Sequence, residues 1–259
     1  GSTDPADGRP GVVYIGDVQW GTWEDLNVCT EGGMNFGWPL FEGLTPHSGY
    51  MAALTANLDA PNPLHDGVSC NLPYLRFQDL LKQDTPIHLN GHPNPCNPQV
   101  QIPNSIPKFF HARPAIDWLH GNQSRCGGFS GSTAITFDLD AADSPVPGPR
   151  FGGNCAVGGP WMAGENMPVG YQNSTFHGDY ASGWIRRFKF DEQDQPVSVH
   201  DFASGLGAVV WIGAGPDGCV WYMSYNTNQL RRICYTLAVN LPPAAVATQS
   251  TQYGPGPVQ

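Results

Sequence analysis

The stretch YQNSTFHGDYASGWIRRFKFD, residues 171–191, decides how this chain is read. Two aromatic-rich runs flank a break at Ser182-Gly183, and the second run carries Arg186, Arg187 and Lys189. Aromatic and β-branched residues suit a pleated surface, and glycine suits a reversal. The stretch reads as a strand, a turn and a second strand. Whether its His-Gly-Asp-Tyr step rims an active site or lies inside a packed sheet depends on what surrounds it.

The rest of the chain speaks the same grammar. Its 259 residues contain 32 Gly and 25 Pro, while charged residues make up only 13%. That balance fits many short strands joined by turns. Strand signals fall at 11–18, 22–29, 114–120, 131–139, 154–164, 174–180, 183–190, 197–204, 208–225 and 229–237. Within 208–225, Gly-Pro-Asp-Gly marks a tight turn between antiparallel strands. The pattern predicts an all-β fold of about three sheets, as in the blades of a β-propeller. Residues 44–112 break it: they are rich in Pro and Asn and read as a long irregular insertion, with a short amphipathic helix at 74–83. The expected organisation is a flexible start (1–10), a blade (11–43), the insertion (44–112), two further blades (113–238) and a Pro-rich linker (239–259).

Charge and cysteine usage exclude several classes. A net charge of −10 gives no broad basic surface for nucleic acid. Nowhere do about 18 apolar residues run together, as a membrane-spanning helix requires. The opening GSTDPADGRPG has neither the basic nor the apolar region of a signal peptide. Cys29, Cys70, Cys96, Cys126, Cys155, Cys219 and Cys234 include no C-x-x-C pair, so zinc spacing is absent. Their scatter through loops suits disulfides in an oxidising compartment, with at least one thiol left over. Cys70 with Cys96 is the first pairing expected, because both lie in the insertion. Low lysine content also suits a secreted, periplasmic or cell-surface protein.

Three segments together resemble the glucose/sorbosone dehydrogenase family. They are YIGDVQWGTWEDLNVCTEGGMNFGWPLFEG (14–43), GDYASGWIRRF (178–188) and GPDGCVWYMSYNTNQLRRICY (215–235). The resemblance covers 11–43 and about 113–236, and implies a six-bladed β-propeller of which about three blades are present. The tail resembles the entry to a polycystic-kidney-disease-type domain. Sugar-oxidising members use pyrroloquinoline quinone and calcium, so the resemblance implies both cofactors. It also implies a partner, either the missing N-terminal half or another polypeptide, because the family's catalytic histidine matches no residue of this chain.

Carried over position by position, the resemblance places Ala181, Ala208 and Val210 where the family keeps a lysine and two arginines on the quinone. Neither Ala nor Val can replace a charge-assisted clamp. Gly16 and Asp17 align with the family's calcium turn, and Asp17 and Glu24 supply hard oxygens suited to that ion. In a strand, however, Glu24 and Asp25 point to opposite faces. His111, His120, His177 and Asp179 are expected to line the propeller mouth, with turn histidines near solvent as the plainer reading. His88 and His92 have a helical metal spacing in a segment that is not helical. Trp23, Trp38, Trp118, Trp161, Trp184, Trp211 and Trp221 fall at strand positions, where aromatics pack between blades or stack on sugar rings. Two functions remain open: an exported sugar dehydrogenase relative, and a non-catalytic propeller that binds carbohydrate or protein at a cell surface.

Overall fold

The computed structural model describes residues 11–86, 91–162 and 167–235. The expected N-terminal segment 1–10 and the linker 239–259 lie outside the described residues. The fold is all-β, built mainly of antiparallel sheets, and none closes into a barrel or a propeller.

Val13–Asp17 and Trp23–Cys29 form an antiparallel hairpin with Asp17 opposite Asp25. The other edge of Trp23–Cys29 is taken by Ile116–Leu119, with Ile116 opposite Leu26 and Trp118 opposite Glu24. Ser124–Ser130 and Thr133–Asp138 complete this first, five-stranded sheet. One sheet straddles the expected boundary between a blade at 11–43 and later blades. Trp23–Asn27 is buried along its whole length, so an unpaired edge there would strand backbone groups away from water. The chain leaves the sheet at Cys29 and returns at Ile116 to supply the partner.

The opening stretch forms the heart of the second sheet. Ser174–Asp179 pairs with Trp184–Phe190, which pairs with Pro196–Ala203. Two short segments, Ala156–Val157 and Trp161–Met162, share the other edge of Ser174–Asp179. Gly183 makes the reversal, with φ +61; a Cβ there would lie 2.6 Å from the Gly207 carbonyl oxygen. Val209–Ala214, Val220–Ser224 and Gln229–Ile233 form a third sheet, and the Gly-Pro-Asp-Gly turn joins its first two strands as expected.

Successive sheets pack face to face. Leu26, Ile116 and Trp118 of the first sheet meet Trp184, Phe188 and Phe190 of the second. Phe176 and Ile185, on the second sheet's other face, meet Val209, Ile212, Val220 and Tyr222 of the third. This is the period-two alternation of strands whose faces are both covered. The first strands of the three sheets also lie side by side in chain order: Val13–Asp17 against Ala156–Val157, and Ala156–Val157 against Val209–Ala214.

The insertion has its own small core of Ala60, Leu75, Leu80, Ile102 and Ile106. The expected helix over 74–83 shrinks to one turn, Phe77–Leu80, between the short strands Tyr74–Arg76 and Leu81–Lys82. Cys70–Cys96 is disulfide-bonded, as the sequence led us to expect, and Cys219–Cys234 bridges the third sheet. Cys29, Cys126 and Cys155 are free thiols. Peptide mapping without reduction should recover both cross-linked pairs. Replacing Cys70 and Cys96 by Ser should cost about 3 kcal/mol in chemical denaturation, the entropy released when a loop of this size is opened.

Candidate functional site

Where the first and second sheets meet, loops from both come together at one end. The His120 amide donates to the Thr22 carbonyl (2.8 Å), that of Gly153 to Leu119 (3.1 Å), and that of Tyr180 to Cys155 (2.9 Å). Two buried carboxylates sit beneath these loops. Glu24 accepts the Ala156 amide on Oε2 (2.8 Å) and meets His120 Nε2 with Oε1 (2.7 Å). Asp179 accepts the Ser182 amide on Oδ1 (2.8 Å), and the Cys155 amide (3.0 Å) and the Trp118 indole (3.4 Å) on Oδ2.

Burial raises the Glu24 carboxyl above its usual range, while the Ala156 amide and His120 pull it back. The His120 side chain remains 24% exposed. A surface imidazole anchored by a buried carboxylate has its ring orientation fixed, as a general base requires. The Cys155 thiol beside it is pushed up by burial and by Glu24 and Asp179, which makes it a poor nucleophile.

The expected site residues divide. Glu24, His120 and Asp179 meet at this rim. Gly16 lies nearby, facing the Gly158 backbone and the His177 imidazole. His177 does not line a mouth: it is fully buried between the sheets, and neither ring nitrogen has a hydrogen-bond partner. His111 is corrected in the same way. It is buried at the end of the insertion, stacked on Phe41 with ring centroids 4.1 Å apart. His92 is also buried and engages the Phe109 carbonyl (2.8 Å); His88 lies outside the described residues.

The pair expected to hold calcium is not brought together. Asp17 faces Asp25, and Glu24 faces the second sheet. The Gln19 side-chain amide already bridges Asp17 Oδ2 (3.2 Å) and Asp25 Oδ2 (2.9 Å), occupying the place a cation would take. As arranged, these residues do not fit the ion.

A quinone fits no better. Ala181 and Val210 are exposed and Ala208 is buried, and none carries charge. The arginines on the same sheets are engaged elsewhere. Arg186 pairs with Asp201 and lies over Phe151, and Arg187 lies over Tyr171. Arg231 donates to Gln229 (2.7 Å) and Arg232 to Asp217 (2.6 Å).

Two features escaped the sequence. His120 and Glu24 stand 96 residues apart, and only the pairing of Trp23–Cys29 with Ile116–Leu119 joins them. Trp20, Trp38, His47 and Tyr50 cluster at the surface beside the 18–22 loop. Trp20 lies between strands, so strand reading passed over it. No family model matches the chain, and no curated protein and no solved structure matches it.

Burial holds the imidazoles of His111 and His177 down at about 3, against 6.5 ordinarily. The unfolded chain takes up protons at both sites as pH falls through the ordinary value, and the folded chain does not. Their contribution is thus intact above that value and is lost as pH falls, by about 2 kcal/mol per histidine near pH 5. Asp25, raised by burial and by Asp17 and Asp117, works in the opposite sense, favouring the folded state as pH falls. Comparing urea midpoints isolates one histidine. Between about pH 7.5 and about pH 5, His177→Gln should lose about 2 kcal/mol less stability than the unaltered chain. Equal losses would show that His177 does not resist protonation.

Proposed function

We propose that this chain is part of a secreted or cell-surface β-propeller of the glucose/sorbosone dehydrogenase type that no longer holds the quinone. On this reading it works as a binding module rather than as a sugar oxidase. One observation carries the reading: the three positions that would clamp the quinone are Ala181, Ala208 and Val210, while the arginines of those sheets are already engaged. Burying the carboxylates of pyrroloquinoline quinone without cations would cost several kcal/mol.

Stacked sheets whose first strands run side by side support a propeller. So does the outer face of the third sheet. Trp211, Met223 and Leu230 neighbour one another across its strands and are 45%, 42% and 52% exposed. They form an apolar row on the face turned away from the second sheet. The reading assigns that face to a further blade, from the missing N-terminal half or from another polypeptide. The two disulfides suit an extracellular location, and no helix among the described residues is long and apolar enough to cross a membrane.

A second reading, catalysis completed by a partner, is favoured by the anchored and partly exposed His120. Reconstitution tests the first reading. With added quinone and calcium, the chain should show no quinone binding in the micromolar range by calorimetry and no dye reduction above background with a panel of aldoses. Turnover that disappears in His120→Ala would establish the enzyme instead.

A further inference from the structure

The surface cluster beside the rim has a geometry that simple packing leaves unexplained. Trp20 is 67% exposed and Trp38 is 44% exposed, although both indoles are large apolar groups. Their ring centroids lie 6.3 Å apart with planes at 66°, so they form an open corner. Tyr50 stands at its back, 5.8 Å from each indole. His47 runs nearly parallel to Trp20, with 13° between the planes. The corner is held from beneath. Glu42, itself buried, accepts the Gly21 and Thr22 amides (2.6 and 2.9 Å) and so fixes the loop that presents Trp20. His47 Nδ1 accepts the Tyr50 amide (3.3 Å), which leaves Nε2–H as a surface donor.

We infer that this corner is a binding site for a neutral saccharide, with one pyranose ring stacked on Trp20 and flanked by Trp38. Sugar rings present C–H faces to aromatic planes and hydroxyls at their edges. Rigid indoles offer such a face at little conformational cost, and the His47 donor and the Tyr50 hydroxyl border it. A quaternary ammonium ligand also uses aromatic faces, through cation–π attraction, but it offers no hydroxyl edge to the His47 donor and the Tyr50 hydroxyl. Glu42 is committed to the Gly21 and Thr22 amides, and among the described residues no other carboxylate is recorded in contact with these four rings. The site shares no side chain with the Glu24–His120 pair, so it deepens the binding-module reading without depending on the loss of the quinone.

The test is affinity electrophoresis of the full chain through gels containing soluble neutral polysaccharides: hydroxyethylcellulose, laminarin, galactomannan and arabinoxylan. At least one should retard migration. Trp20→Ala and Trp38→Ala should each weaken that retardation about tenfold, a loss expected when one stacking plane is removed. Trp20→Phe should keep part of it, and Tyr225→Ala, an exposed aromatic in the turn after Val220–Ser224, should leave it unchanged. Circular dichroism of each variant confirms that the fold survives, as the exposure of Trp20 leads one to expect. No retardation by any of the four polymers, or retardation insensitive to both tryptophans, overturns the inference. So does a shift of the Trp20 indole NMR signal by tetramethylammonium but not by the oligosaccharides of these polymers. Quinone binding in the separate calorimetric experiment would remove the reading of the rim while leaving this site standing.

Discussion

A fully buried carboxylate, Asp117, ties the insertion to the first sheet. It lies opposite Arg125 on one neighbouring strand and opposite Asp25 on the other. Arg125 donates to it twice, through Nε (3.0 Å) and Nη2 (2.5 Å), and the Leu44 amide donates a third bond (2.9 Å). Burial raises its pKa, and these partners draw it back. Deleting one member of such a pair strands the other, at about 3–5 kcal/mol. The approach is close enough to constrain the backbone. Gly43 has φ +57, and a Cβ there would lie 2.6 Å from Asp117 Oδ2. Arg125 in turn lies 3.4 Å from the centre of the Trp23 ring, so the pair is sealed by an aromatic face.

The rim depends on this anchor through a short chain of contacts. Asp117 fixes Leu44, two residues beyond Glu42. Glu42 holds the amides of Gly21 and Thr22, and the Thr22 carbonyl accepts the His120 amide. His120 then reaches Glu24. Glu42, immediately before the insertion, therefore shapes the 18–22 loop, and the Leu44 contact at the insertion's first residue anchors it. That loop separates the two candidate surfaces, with the carboxylate-anchored imidazole on one side and the aromatic corner on the other.

What the sequence reveals is what local chemistry dictates. Period-two alternation and glycine turns located most of the long strands, and the Gly-Pro-Asp-Gly turn was legible because its neighbours alternate around it. Cys70–Cys96 was legible because both residues sit where chain entropy has few other restraints. Long-range partners were not. Nothing local states that Trp23–Cys29 pairs with Ile116–Leu119 across the insertion, so the Glu24–His120 contact and the Asp117 hub were invisible. The histidines failed for a related reason. A histidine can face solvent or core, and its own residue type does not choose: His120 lies at a strand end and stays partly exposed, His177 lies in a sheet covered on both faces, and His111 is closed in against Phe41 at the end of the insertion.

The charges at the rim constrain what it can receive. Glu24 and Asp179 satisfy their lone pairs with backbone amides, an indole and one imidazole, and no lysine or arginine is recorded bonding to either. An anionic ligand approaching this end meets two carboxylates at low local dielectric, where repulsion is stronger than in water. The chain's net charge of −10 adds a background of the same sign. A cation faces a different obstacle: the nearby Asp17–Asp25 pair is already bridged by the Gln19 amide, which supplies its donors without bringing a full charge. A neutral polyol meets neither penalty. Its hydroxyls can hydrogen-bond the partly exposed His120 imidazole, and its C–H faces can cover exposed indole. The rim and the neighbouring corner, built from different side chains, are therefore compatible with the same class of ligand.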